Sequence, residues 1–146
     1  MFMGEYHHAL DSKNRLIIPA VLRQQNNDRD EKFVLTRGLD KSLFLYALSE
    51  WQALGERLKN ISTVRSDTRA FLRVLFSGAH QVCPDKQGRI TLPQTLKDFA
   101  EIKEKVAIIG AFNKIEIWSE KEWSKYYQEK KAIFEQISEK IMDIEI

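Results

Sequence analysis

"DSKNRLIIPAVLR" (residues 11–23) and "DKQGRITLPQTLK" (residues 85–97) are nearly one phrase written twice. Asp11 and Asp85, Arg15 and Arg89, Pro19 and Pro93, and Leu22 and Leu96 occupy matched places, each pair 74 positions apart. Farther along, "KFVLTRGLDKSLFLYALSEW" is answered by "EKVAIIGAFNKIEIWSEKEW", with Val34/Val106, Gly38/Gly110, Tyr46/Trp118, Glu50/Glu122 and Trp51/Trp123 aligned at an offset of 72. A two-residue gap near "QQNNDRDE" reconciles the two offsets. The sequence therefore predicts an internal duplication: one repeat over 5–52, a helical connector over 53–79, a second repeat over 80–124, and an amphipathic C-terminal helix over 125–146.

Each repeat reads as two β-hairpins in tandem. The β-prone runs "EYHHAL" and "AHQVC" each lead to Asp, a few polar residues and an apolar run that stops at proline. Asp at a loop entry accepts backbone N–H bonds from residues two or three ahead, while Asn14 and Gly88, at corresponding sites, are residue types that tolerate positive φ. Pro19 and Pro93 lack an N–H donor, so they end the returning strand and open a short helical turn. Gly38 and Gly110 are expected at or near the bend of the second hairpin.

Between the repeats, Trp51, Leu54, Leu58 and Ile61 recur at helical spacing behind Ser49 as a candidate N-cap. Phe71, Val74, Leu75 and Gly78 line one side of a second helix, and Tyr127, Phe134, Ile137, Ile141 and Ile144 form a stripe along the C-terminal one. Two hairpins alone are too small to bury a core, so the repeats are expected to interleave, strands of one completing the sheet of the other. The fold class is mixed α/β with a mainly β core and pseudo-two-fold symmetry.

At 146 residues, 43% hydrophobic and 30% charged, the composition is that of an ordinary globular protein. The longest apolar runs, "LFLYAL" (43–48) and "VAIIGAF" (106–112), fall well short of a bilayer-spanning segment, and "MFMGEYHH" lacks the pattern of a secretory signal. No membrane partner and a place inside the cell are the expectations. A lone Cys83 allows no intrachain disulfide, and a net charge of +2 leaves a nucleic-acid partner to be decided by where the cations sit. His7 and His8 are neighbours on a strand and face opposite ways, as do His80 and Cys83, so neither pair suits a metal site or a nucleophile with its base. With no phosphate loop, ligand cluster or nucleophile elbow, the expectations are no metal, no cofactor, no small-molecule substrate and no enzyme activity.

"MFMGEYHHALDSKNRLIIPA" and "DKQGRITLP", with the "EIWS" and "EW" pieces, resemble the MraZ family over nearly the whole chain. The resemblance implies a duplicated AbrB-like swapped-hairpin barrel. It also implies a bacterial transcription regulator of the division and cell-wall gene cluster, assembled as a ring and associated with the nucleoid. Asp11 and Arg15 match the family's first D-x-x-x-R motif, Asp85 and Arg89 its second; Asn14 departs from the usual Gly, which Gly88 retains.

The residues point the same way by their chemistry. Lys13, Asn14, Arg15, Lys86, Gln87 and Arg89 combine cations for phosphate with amide and guanidinium groups able to pair with base edges. Double-stranded DNA carrying short tandem repeats is the expected partner, upstream of the protein's own operon as the resemblance implies, together with further copies of the chain. Arg15 and Arg89 have two readings, a bond across the turn to Asp11 and Asp85 or a contact to DNA that those carboxylates pre-position. An AbrB-like interaction module of the antitoxin type is the alternative to a regulator. Arg65, Arg69 and Arg73 form a basic stripe better read as a solvated or intersubunit face, and Trp51, Trp118 and Trp123 as core or interface anchors.

Overall fold

The structure, a computed structural model, describes residues 1–26, 28 and 31–141. The first repeat runs β1 (Phe2–Ala9), β2 (Arg15–Ile17), α1 (Ala20–Gln24), β3 (Phe33–Arg37), β4 (Leu43–Ala47) and α2 (Leu48–Leu58). After α3 (Ser66–Ser77), the second runs β5 (His80–Val82), β6 (Arg89–Thr91), α4 (Gln94–Phe99), β7 (Lys105–Phe112), β8 (Ile115–Ser119) and α5 (Glu120–Lys131), followed by α6 (Phe134–Lys140).

The expected interleaving is present. A six-stranded antiparallel sheet has the order β1-β7-β8-β4-β3-β5, and β2 pairs with β6 in a separate two-stranded sheet. Exchanging the repeats reverses the large sheet onto itself, with the pseudo-two-fold axis between β4 and β8 and β1 and β5 each on the other repeat's hairpin. The order is open at β1 and β5, so among the described residues the strands form no closed barrel. The first hairpin of each repeat is also looser than expected. Asp11 N donates to Arg15 O and Asp85 N to Arg89 O, but the two strands then part to different sheets.

Alternation fixes which side chains meet in the middle. Leu16 and Ile90 turn inward from the small sheet, and Phe33, Leu35, Leu43, Leu45, Val106, Ile108, Ile115 and Ile117 from the large one. Leu22 and Leu96 from the short helices behind each proline close the same core. Pro19 and Pro93 sit at the N-caps of α1 and α4 as expected, where a missing N–H costs nothing.

The register corrects the sequence alignment. Phe33 pairs with Val82 and Leu35 with His80, while Val106 pairs with His8 and Ile108 with Tyr6. The structural equivalents are thus Phe33/Val106 and Leu35/Ile108, an offset of 73 residues rather than 72. Val34/Val106 would join residues on opposite faces, since a one-residue slip turns every side chain over. The gap is split: one residue falls before β3, and one in the β3–β4 turn. Gly110 accordingly lies inside β7, opposite Gly4, where an added Cβ would collide with the backbone of Met3.

The helices hold further corrections. Ala47, not Ser49, is the N-cap of α2, and Ser49 N donates instead to Asp28 Oδ2 across the connection, at 2.9 Å. Ile61 lies beyond α2, and Phe71 and Val74 are exposed; Leu75 and Gly78 are the buried positions of that side. Thr36 Oγ1 donates to Leu75 O at 2.5 Å and Arg37 Nη1 to Val74 O at 3.0 Å, which ties the end of α3 to β3. The C-terminal helix is two helices, broken at Ala132 and Ile133, so Tyr127 does not share one stripe with Phe134 and Ile137; Ile144 lies outside the described residues. Trp118 is buried and meets Trp123 edge to face at 5.3 Å between ring centroids, while Trp51 packs on Phe76 at 5.1 Å.

Candidate nucleic-acid interface

Each D-x-x-x-R loop is built by one carboxylate. In the first, Asp11 Oδ1 accepts from the backbone N–H groups of Lys13 and Arg15, both at 2.9 Å, and Oδ2 accepts from Arg15 Nε at 2.6 Å. In the second, Asp85 Oδ1 accepts from Gln87 and Arg89 N–H, both at 2.9 Å, and Oδ2 from Arg89 Nε at 2.8 Å. The bond from the Arg15 N–H is the main reason that the Asp11 carboxyl lies below its ordinary value, with the guanidinium adding to it; Arg89 does the same to Asp85. Asn14 and Gly88 take the left-handed conformation that closes the turn, at φ 58° and 78°. The loop-organising reading of both Asp residues thus has its geometry, and the bond from arginine across the turn is present in both loops. Because Nε meets Asp, the outer Nη edge of each guanidinium is left for bidentate pairing.

The loops are also locked to each other. Ile18 N donates to Gly88 O and Leu92 N to Asn14 O, each at 2.8 Å, a reciprocal pair on either side of the β2·β6 ladder. Lys13, Lys86 and Gln87 are exposed around the turns, and Arg15 and Arg89 are half-buried.

Two residues join them that the sequence reading missed. Lys97 Nζ donates to Asn14 Oδ1 at 2.7 Å, and Arg23 crosses to the second loop, where a Cβ on Gly88 would lie 2.8 Å from its Nε. Arg23 also donates from Nε to Ile18 O at 3.1 Å. The signal was in the repeated phrase, since Arg23 and Lys97 are its last letters in the two copies. Six cations (Lys13, Arg15, Arg23, Lys86, Arg89, Lys97) therefore gather with two carboxylates (Asp11, Asp85), a local excess of four where the whole chain carries +2. Such a patch favours a polyanion electrostatically, whatever the sequence of bases it carries.

The other candidates lie elsewhere. Arg69 donates from Nη1 to the carbonyls of Thr63 and Val64, and Arg65 reaches Asp67 at 3.9 Å, so these two members of the basic stripe serve the start of α3. His7 bonds Glu5 at 2.9 Å, and His80 Nδ1 lies 2.8 Å from Gly78 O. Among the described residues no group of three or more His, Cys, Asp or Glu side chains could hold a metal ion, and no helix is long and apolar enough to cross a membrane.

Comparison with known proteins matches the chain twice to one family model, described as "MraZ protein, putative antitoxin-like", over residues 1–74 and 75–144. A protein from Natranaerobius thermophilus named transcriptional regulator MraZ is 47% identical over 146 residues, the full length of both chains.

Proposed function

We propose that this chain, which belongs to the MraZ family, is a transcriptional regulator that binds DNA sequence-specifically through its paired D-x-x-x-R loops. The observation that carries the reading is the reciprocal lock between the loops: it presents two pre-positioned arginines on one two-stranded ribbon, inside a patch of excess positive charge. A ribbon of this width suits a major groove about 12 Å wide, in which β-strand readers are a known mode.

The protein acts as a homo-oligomer, a ring in the family's manner, in the cytoplasm and on the nucleoid. It represses the division and cell-wall gene cluster that includes its own gene, at short tandem repeats. Several loops engaging at once would turn a modest affinity per loop into tight binding.

The test is a titration of wild type and Arg15→Ala on the DNA upstream of the protein's own gene and on a scrambled duplex. One bidentate base contact is worth about 1–3 kcal/mol, so Arg15→Ala is expected to lose at least about fivefold in preference, and more if several subunits bind together. Wild-type affinity should fall with salt by a slope of about −0.9 per phosphate neutralised. Equal affinity for the two duplexes, or an Arg15→Ala variant that keeps the preference, would refute the reading.

The family's antitoxin-like description favours a second reading, capture of a protein partner by the C-terminal segment, where Phe134 is 65% exposed on α6. Removal of residues 132–146 separates the two: DNA preference survives it under the first reading, and partner capture does not survive it under the second.

A further inference from the structure

The outward face of the β2·β6 ribbon holds more than its two arginines. Leu16 and Ile90 point into the core, so alternation sends Arg15 and Ile17, and Arg89 and Thr91, to the opposite side. Arg15 is paired across the ladder with Thr91, and Ile17 with Arg89. Ile17, the last residue of β2, is 43% exposed, and Thr91, the last of β6, is exposed as well, so each stands free beside the arginine opposite it.

We propose that Ile17 and Thr91 are specificity-determining residues of this face, and that each reads the 5-methyl group of a thymine beside the base engaged by its cross-strand arginine. The inference rests on the DNA-binding reading above. Side chains directly opposite on an antiparallel pair have Cβ atoms about 5 Å apart, and residues two apart on one strand are separated by roughly 7 Å, close to two base-pair steps. A guanidinium aimed at one base edge therefore brings its cross-strand neighbour over an adjacent pair. In the major groove the feature that an apolar side chain can recognise is the thymine methyl, which cytosine lacks. Ile17 offers only carbon to it. Thr91 offers its own methyl, with a hydroxyl that also meets a polar edge. The ribbon thus reads two short steps related by the pseudo-two-fold axis, each an arginine contact followed by a methyl contact, and the Ile/Thr difference makes the two steps unequal.

The test uses duplexes that the full-length protein selects from a random library, together with the same duplexes in which each thymine in turn is replaced by uracil, which removes only the methyl group. Wild type is expected to lose roughly fourfold in affinity at one or more thymines, the worth of one buried methyl. Ile17→Ala should lose about as much on the thymine duplex and be indifferent to uracil at the position it reads, and Thr91→Ser should show the same pattern at its own. Both positions are solvent-facing, so an unchanged melting temperature separates the effect from misfolding. If duplexes are selected but uracil costs nothing, or the variants select the same motif with wild-type affinity, these residues do not read bases and the DNA-binding reading stands without them. If nothing is selected from the library, the DNA-binding reading falls, and this inference with it.

Discussion

The two D-x-x-x-R loops share one clamp and differ in how the residue before the arginine is supported. In the first, Asn14 is left-handed and its side-chain oxygen receives Lys97 Nζ at 2.7 Å. In the second, Gly88 is left-handed and bare, and Arg23 fills the space that a side chain would need. One loop is held by a hydrogen bond, the other by packing against a flat guanidinium. Each supporting cation comes from the other repeat, so the lock across the pseudo-two-fold axis is made by side chains as well as by backbone. The comparison teaches that the residue before each arginine and the cation that supports it belong to different copies, Asn14 with Lys97 and Gly88 with Arg23.

Breaking the second loop should have the larger effect. Gly88→Ala puts a Cβ at φ 78° and 2.8 Å from Arg23 Nε, so it combines backbone strain with a forced move of that side chain. Left-handed backbone costs an L-residue about 1–2 kcal/mol, which should lower the melting temperature by roughly 3–8 °C in a scanning calorimeter. An unchanged midpoint would show that the loop relaxes freely.

The first loop should yield to a different change. Asn14→Gly relieves the backbone but takes the acceptor from Lys97, which is only 8% exposed, and the net loss is expected near 1 kcal/mol. In a Lys97→Met background the same substitution should cost nothing measurable. A denaturant double-mutant cycle with no coupling between the positions would dissolve that pairing.

The shared clamp should respond least, and equally in both loops. The native carboxyls of Asp11 and Asp85 are held below their ordinary 3.8, so at acid pH the unfolded chain binds more protons than the folded one. Their contribution is fully present above that value and is lost as pH falls through the lowered native pKa. Thermal midpoints followed in acid should decline less steeply for Asp11→Asn with Asp85→Asn than for wild type. Parallel curves would mean that the carboxylates shape the loop without steadying the fold.

Much of this was legible in the sequence, for a reason that the comparison makes plain. The loop chemistry is local, so Asp, the left-handed residue and the proline stop could each be read from a window of nine residues, Asp11 to Pro19. Interleaving followed from the size of a single repeat. The offset of 73 in β3 and β7 was hidden because both strands are apolar on both faces over most of their length, and such runs carry no period by which to detect a one-residue slip. The break at Ala132 and Ile133 had no glycine or proline to announce it. Arg23 and Lys97 went unread because their roles are contacts with the opposite copy, which no local window contains.

The exchange of edge strands also sets a schedule for synthesis. Phe2 at the start of β1 finds its partner at Phe112, so β1 leaves the ribosome well before the strand that pairs with it. At about 5–20 residues per second, β1 waits on the order of 5–20 seconds with its backbone groups answered only by water. Early pairings that wait on late residues carry a large loop-closure entropy and slow the cooperative step. The nascent first repeat is therefore a chain whose edge stays bare until β7 has been made.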